Sequence, residues 1–400
     1  MDKVFRFKGC IQNYAWGGHK FIPNLLGFTP NNDTYAEYWL GAHANAPSMV
    51  YENDSKEPLD LFLSKSPTVK LGEEVFEKFG RLPFLFKVLD VDKMLSIQVH
   101  PSKSEAEKGF ERENELGIAL NAPNRNYKDD NHKPEVMVAL SDFWLLHGFL
   151  PKKQLSEVLK QYEEFAVLIP IFEDAGLKGL YQYVMELSLV ESDNILRPLV
   201  NRILLLNKNK TLSKSSPDYW AAKAVLSGNS DSPLDKGIFS IYFFNLVKLK
   251  KGEAIFQDAG VPHAYLEGQN MELMANSDNV LRGGLTPKHI DVEELLKHVV
   301  FEETVPKILY GELQKDKTER IFKTIAPDFE LSKIELQKGR EYSANSKTIE
   351  ILIVVEGGVQ VVENKKTLEI KKGDAFLVVA NCNYKVSATS NTVLYKAKTP

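Results

Sequence analysis

The sequence predicts a mostly β protein with an α-helical insert, arranged as two jelly-roll β-barrels plus a helical domain. Three observations point there: short β-type runs broken by Gly, Pro and Asn toward both ends, a central block of helical periodicity, and a pentapeptide that recurs at the head of two β segments. With 400 residues, 43% of them hydrophobic and 26% charged, the chain can bury more than one core.

From Val4 to about Leu150 the runs FRFKGCIQNYAWG, TYAEYWLGAH, LPFLFKVLDV, MLSIQVHP, PEVMVAL and FWLLHGF read as strands. SKSEAEKGFEREN is the exception, a short polar helix that Ser102 or Ser104 can cap. The character changes at Pro151. Leu155, Val158, Leu159 and Tyr162 fall at i, i+3, i+4 and i+7, and Ile195, Leu196, Leu199, Val200 and Ile203 form a second stripe, so both stretches predict amphipathic helices. A third opens on Ser216 as cap and Pro217 at the first helical position, runs through DYWAAKAVLS and stops at Gly228.

β patterning resumes in IFSIYFFNLVKLKKGEAIFQDAGVPHAYLEG and again in TIEILIVVEGGVQVVENKKTLEIKKGDAFLVVANCNYKVSA. Lys250-Lys251-Gly252-Glu253-Ala254 in the first echoes Lys371-Lys372-Gly373-Asp374-Ala375 in the second, each a turn glycine feeding an apolar strand. Such a repeat suggests small antiparallel barrels of the jelly-roll or cupin type. The expected domains are a cupin-like unit of residues 1–150 and 236–315, a helical insert of 151–235, and a C-terminal cupin-like unit of 316–400. Eleven residues past the shared glycine the first copy carries His263 and the second Tyr384, so a polar interior set is expected in the first barrel alone.

A net charge of −4 excludes the overall basic character of a nucleic-acid binder, while leaving room for a local positive pocket. Cys10 and Cys382 offer neither a disulfide framework nor a CxxC metal site. MDKVFRFKGC has no apolar core of a signal peptide and no stretch has the length of a membrane span, so a cytoplasmic protein with no membrane association is expected.

In LSIQVHP, strand alternation sends Gln98 and His100 to one face and Ile97 and Val99 to the other. Two donors about 7 Å apart along a strand can converge on one ion. Glu135 opens the strand PEVMVAL and His263 begins another in VPHAYL, so Gln98, His100, Glu135 and His263 together supply two nitrogens and two oxygens, a set suited to zinc or another borderline divalent ion. A second cluster, residues 267–288, holds acids and amides with Arg282 beside Gly283 and Gly284; by composition alone it reads as a surface loop. Asp291 and Glu294 have capping-box spacing for the helix DVEELLKHV, and His19, His43, His147, His289 and His298 read as structural or exposed.

The run HAYLEGQNMELMANSDNVLRGGLTPKHIDV closely resembles the signature of the type I mannose-6-phosphate isomerases (phosphomannose isomerases), and YAWGG, FLFKVLD, LSIQVHPSK and DDNHKPE match further blocks of that family in the same order. The resemblance implies a cupin-type enzyme interconverting mannose 6-phosphate and fructose 6-phosphate through an enediol, on the route to GDP-mannose. It further implies one Zn2+ held by Gln98, His100, Glu135 and His263, and a sugar phosphate as partner of a cytoplasmic monomer. Arg282 matches the arginine of the family pocket, and Trp16, Ser96, Lys87, Glu272, Asp278 and Lys288 match other pocket positions. Proton transfer falls to Glu272, Lys133 or His132, which the sequence does not rank; Ser96, Lys87 and Lys288 are candidates for the phosphate. Two rivals remain: a non-catalytic sugar-phosphate-binding cupin, and an iron-dependent cupin oxygenase built on the two histidines and the carboxylate.

Overall fold

The computed structural model describes residues 2–53, 55–228 and 233–400, so the part of the predicted insert at 229–232 lies outside the described residues. The predicted strands are present in a ten-stranded sheet whose main path runs Phe244–Leu249, Phe143–Phe149, His263–Ala275, Phe84–Val91, Glu37–Leu40 and Cys10–Gln12. One strand organises it. The first half of His263–Ala275 pairs with Phe143–Phe149 and Gln98–Val99, and its second half with Phe84–Val91 and Glu135–Ala139. Between the halves sit a register shift from Tyr265 to Glu267 and Gly268 at φ +129°, where a Cβ would come within 2.7 Å of the Asp142 carbonyl oxygen. Glycine lets the strand bend there and pass from one set of partners to the other.

Behind this sheet packs a nine-stranded one built mainly from residues 312–398. Phe84, Phe86, Val88, Val136, Val138 and Leu273 meet Phe5, Phe7, Ile351, Ile353, Leu377 and Ala397 in a single buried core. The chain's own beginning belongs to that second sheet: Val4–Lys8 pairs with Ala375–Val378 and with Met49–Glu52. A four-stranded sheet closes the far side over Leu352, Val354, Phe376, Val361 and Val386. Among the described residues the sheets run open rather than closing as the barrels that the sequence suggested; their faces are covered by one another and by the helices, which satisfies the hydrophobic demand without closure.

The echoed pentapeptides fold alike. Glu253 and Asp374 each donate a backbone N–H to the carbonyl of the lysine three residues back, both at 2.9 Å, and Gly252 and Gly373 take φ +91° and +86°. At the second copy's matching position Tyr384 is buried, its hydroxyl donating to Glu350 at 2.5 Å. A neighbouring buried group joins Lys396 to Glu319 and to the Tyr342 hydroxyl, each at 2.7 Å. The C-terminal unit thus has a polar interior set of its own, closed by internal pairing, where none was expected from the sequence.

The predicted helices form: Lys152–Gln161 and Leu189–Lys208 bury their apolar stripes, Ser216 caps Pro217–Ser227, and Ser102 rather than Ser104 caps Lys103–Glu115. Three further expectations are corrected. Gly237–Phe243 is a helix, not the start of a strand: its residues are all buried, and a short run that is apolar on every side does not reveal its period. Four short helices, Phe21–Leu26, Leu59–Ser64, Pro67–Leu71 and Glu73–Phe79, interrupt the first β region. LSIQVHP contributes only Gln98–Val99 as strand, paired with His263, Leu281 and Arg282, and Pro101 follows two residues on. No helix of the described residues is long and apolar enough to cross a membrane.

Candidate metal centre

His100 is fully buried directly after the two-residue strand. Its Nδ1 lies 2.9 Å from the backbone carbonyl oxygen of Asn279, which fixes the proton on Nδ1 and leaves the Nε2 lone pair free. His263 is arranged the same way, Nδ1 2.9 Å from the Val261 carbonyl oxygen. The two Nε2 atoms face opposite oxygens of one buried carboxylate, His100 at 3.4 Å from Oε1 of Glu135 and His263 at 3.5 Å from Oε2. The three donor atoms lie within 4.8 Å of one another, and Nε2 of His100 has no hydrogen-bond partner among the described residues. A buried acceptor nitrogen aimed at a carboxylate is unsatisfied by protein alone. A divalent cation between them supplies what is missing, so these residues fit the metal.

Gln98 stands beside this cluster through register. It stands opposite His263 on one neighbouring strand and Arg282 on the other, so the three side chains emerge in a row on one face. Gln98, Glu135 and His263 line one cavity with Lys87, Lys133 and Glu272. Burial, helped by Lys133, pulls His100 down to about 4, which keeps it neutral and able to ligate. Burial alone would push Glu135 up, but the Lys133 ammonium, whose Nζ is 3.2 Å from Oε1, holds it well below the usual carboxylate range.

Lys87 is buried between two carboxylates, 3.3 Å from Glu37 and 3.3 Å from Glu272. These outweigh burial and hold it charged. Burial, together with the Glu135 charge, pushes Glu272 up. Arg282 is half-buried and makes no side-chain hydrogen bond or ion pair among the described residues; Lys288 is exposed and close enough for its charge to feel Arg282. Trp16 is half-buried against the inner apolar cluster and stacks on Tyr14 at 5.9 Å, Ser96 is half-buried, and Asp278 is exposed with both oxygens 3.2 Å from Nε2 of His43. His132 lies outside the cavity wall; its Nε2 is 2.8 Å from Oδ2 of buried Asp328, in the C-terminal part of the chain. Sequence reasoning missed Glu37 and Tyr265, which line the cavity, and His43. For Glu37 a signal existed: it alternates with Trp39, whose indole N–H donates to it.

Two histidines and a glutamate buried on a β scaffold, with a glutamine in register and paired acids and lysines around them, define a metal centre of the cupin class. Residues 4–152 match the family described as phosphomannose isomerase type I, catalytic domain, and residues 318–394 match mannose-6-phosphate isomerase, cupin domain. The chain is 36% identical over 378 residues, 93% of each chain, to the mannose-6-phosphate isomerase of Escherichia coli, and 33% identical over 433 residues to that of Mus musculus, covering 99% of this chain and 98% of the relative. It also superposes over the full length of both chains on mannose 6-phosphate isomerase from Salmonella typhimurium bound to its substrate and to zinc, with a TM-score of 0.87 and 32% identity. The chain belongs to the type I phosphomannose isomerase family.

Proposed function

We propose that this protein is a zinc-dependent aldose–ketose isomerase interconverting mannose 6-phosphate and fructose 6-phosphate by proton transfer through an enediol. The observation that carries it is the His100–Glu135–His263 cluster with its unsatisfied nitrogen. Gln98 is the fourth ligand. Zinc held there supplies fixed positive charge where an oxyanion develops. The remaining work falls to the chain's own groups. Moving a proton from carbon beside a carbonyl demands cations near the developing oxyanion, and Lys133 and Arg282 provide them. Lys133 and Glu272 stand in the cavity wall as carriers of the proton, and Glu272, pushed up by its surroundings, is suited to exchange it. His132, anchored by Asp328, is the third candidate, for ring opening. Lys288 and Ser96 receive the phosphate, Lys87 orders the two acids that clasp it, and Trp16 and Asp278 bound the entrance.

The same proposal takes residues 1–150 and 236–315 as a catalytic cupin-like unit, 151–235 as the helical insert and 316–400 as a second cupin-like unit without a metal, in a cytoplasmic monomer that engages neither nucleic acid nor membrane. A coupled assay with mannose 6-phosphate in deuterated water tests it: turnover with solvent deuterium appearing in product supports an enediol, whereas binding without turnover leaves a sugar-phosphate-binding cupin.

A further inference from the structure

The segment that carries Arg282 continues through Gly283, Gly284, Leu285 and Thr286, and the helical region grips it from outside. On one side Ile97 brackets it: Gly283 donates its N–H to the Ile97 carbonyl at 2.9 Å, and Ile97 donates to the Gly284 carbonyl at 3.0 Å. On the other side a single carboxylate takes three backbone amides. Oδ1 of Asp235 accepts from Gly237 at 2.6 Å and Leu285 at 2.8 Å, and Oδ2 accepts from Thr286 at 3.0 Å. Contact is so close that a Cβ on Gly284, at φ +124°, would lie 2.4 Å from Cα of Gly237.

Leu285 pays for this course with φ +55°, the left-handed region that a β-carbon disfavours. Such a residue persists only where its surroundings over-determine it. Asp235 supplies that constraint. Arg282 makes no side-chain hydrogen bond or ion pair among the described residues, so no polar partner holds its guanidinium and the course of its backbone is what aims it. An unpaired guanidinium loses its value for recognition when its backbone wanders by about an ångström.

We propose that Asp235 is a positioning residue of the active site, through which the helical region fixes the Gly283–Thr286 turn and thereby aims Arg282 and Lys288 at an anionic sugar phosphate. This rests on the assignment of Arg282 and Lys288 as substrate-facing cations.

The test uses the full-length, zinc-loaded protein and the variants Asp235→Ala, Asp235→Asn and Asp235→Ala/Leu285→Gly, with Leu285→Gly alone as control. Asp235→Ala is expected to lower kcat/KM for mannose 6-phosphate at least tenfold at unchanged zinc content. Adding Leu285→Gly, which removes the left-handed penalty, is expected to return part of that loss; a fold defect unrelated to the turn would not respond. Asp235→Asn, of the same shape and with one acceptor oxygen, is expected to fall between and serves if the alanine variant does not fold. Amide hydrogen exchange at Leu285 and Thr286, read without substrate, is expected to accelerate in each Asp235 variant. That readout holds even if the protein turns over another substrate. Unchanged exchange, or faster exchange at undiminished kcat/KM, would overturn the proposal, as would a loss that Leu285→Gly leaves untouched.

Discussion

The ammonium of Lys133 stands 3.2 Å from Oε1 of Glu135, the same carboxylate oxygen that Nε2 of His100 faces at 3.4 Å. A fixed cation therefore shares the carboxylate on which a metal must also depend. Replacing Lys133 by methionine removes like-charge repulsion against the metal and leaves Glu135 buried without its ion partner. Zinc affinity is expected to rise about tenfold, roughly 1.4 kcal/mol, while turnover collapses. Competition with a chelator of known affinity, beside the coupled assay, checks both; weaker zinc binding would contradict this geometry.

Glu135→Gln keeps shape and one acceptor but removes the only anionic ligand of the set. Zinc affinity is expected to fall on the order of 100-fold or more, by analogy with the cost of even outer supporting groups. Isothermal titration of zinc into the metal-free variant measures it, and near-normal affinity would exclude Glu135 as a ligand.

Lys87 answers to Glu37 and Glu272 rather than to open space. Lys87→Met leaves two carboxylates facing each other in a buried site, and breaking a buried ion pair on one side costs about 3–5 kcal/mol. A urea midpoint lowered accordingly is expected, with activity loss following the disordered wall. A variant of undiminished stability whose KM alone rises would instead make Lys87 a phosphate ligand.

His147 supplies a pH dependence. Burial pulls it down to about 4, against about 6.5 for an exposed imidazole, and its Nδ1 lies 2.7 Å from Oε1 of Gln257. Its folded value is depressed, so below pH 6.5 the unfolded chain binds the proton first and the fold loses stability as pH falls from about 6.5 to about 4. The loss is at most about 3 kcal/mol, at 1.36 kcal/mol per unit. Urea midpoints across that window are expected to fall less steeply in His147→Asn than in the parent; parallel curves would show that another group carries the dependence.

Local pattern made much of this legible. The stripe of Leu155, Leu159 and Tyr162, the caps at Ser102 and Ser216, and the turns at Gly252 and Gly373 are decided within a few residues, where periodicity and turn chemistry act. The His100–Glu135–His263 cluster was legible because alternation in LSIQVHP marks the face that carries His100, because Glu135 and His263 stand at the starts of two further strands, and because the family resemblance joined the three. What stayed hidden depends on partners far along the chain. Val4–Lys8 reads as a strand, yet nothing in it announces that Ala375–Val378 is its neighbour. Asp328 reaching His132, and Asp235 reaching Leu285, are single contacts across long separations that leave no periodic trace. Gly237–Phe243 was misread because a segment buried all round looks the same in either conformation.

The most direct test is turnover of mannose 6-phosphate by the protein as purified, after chelation that strips the zinc, and after zinc is returned. Two histidines sharing a carboxylate around one cation predict that fructose 6-phosphate formation disappears with the metal and returns as one zinc per chain is restored. Undiminished turnover in the stripped protein would contradict it.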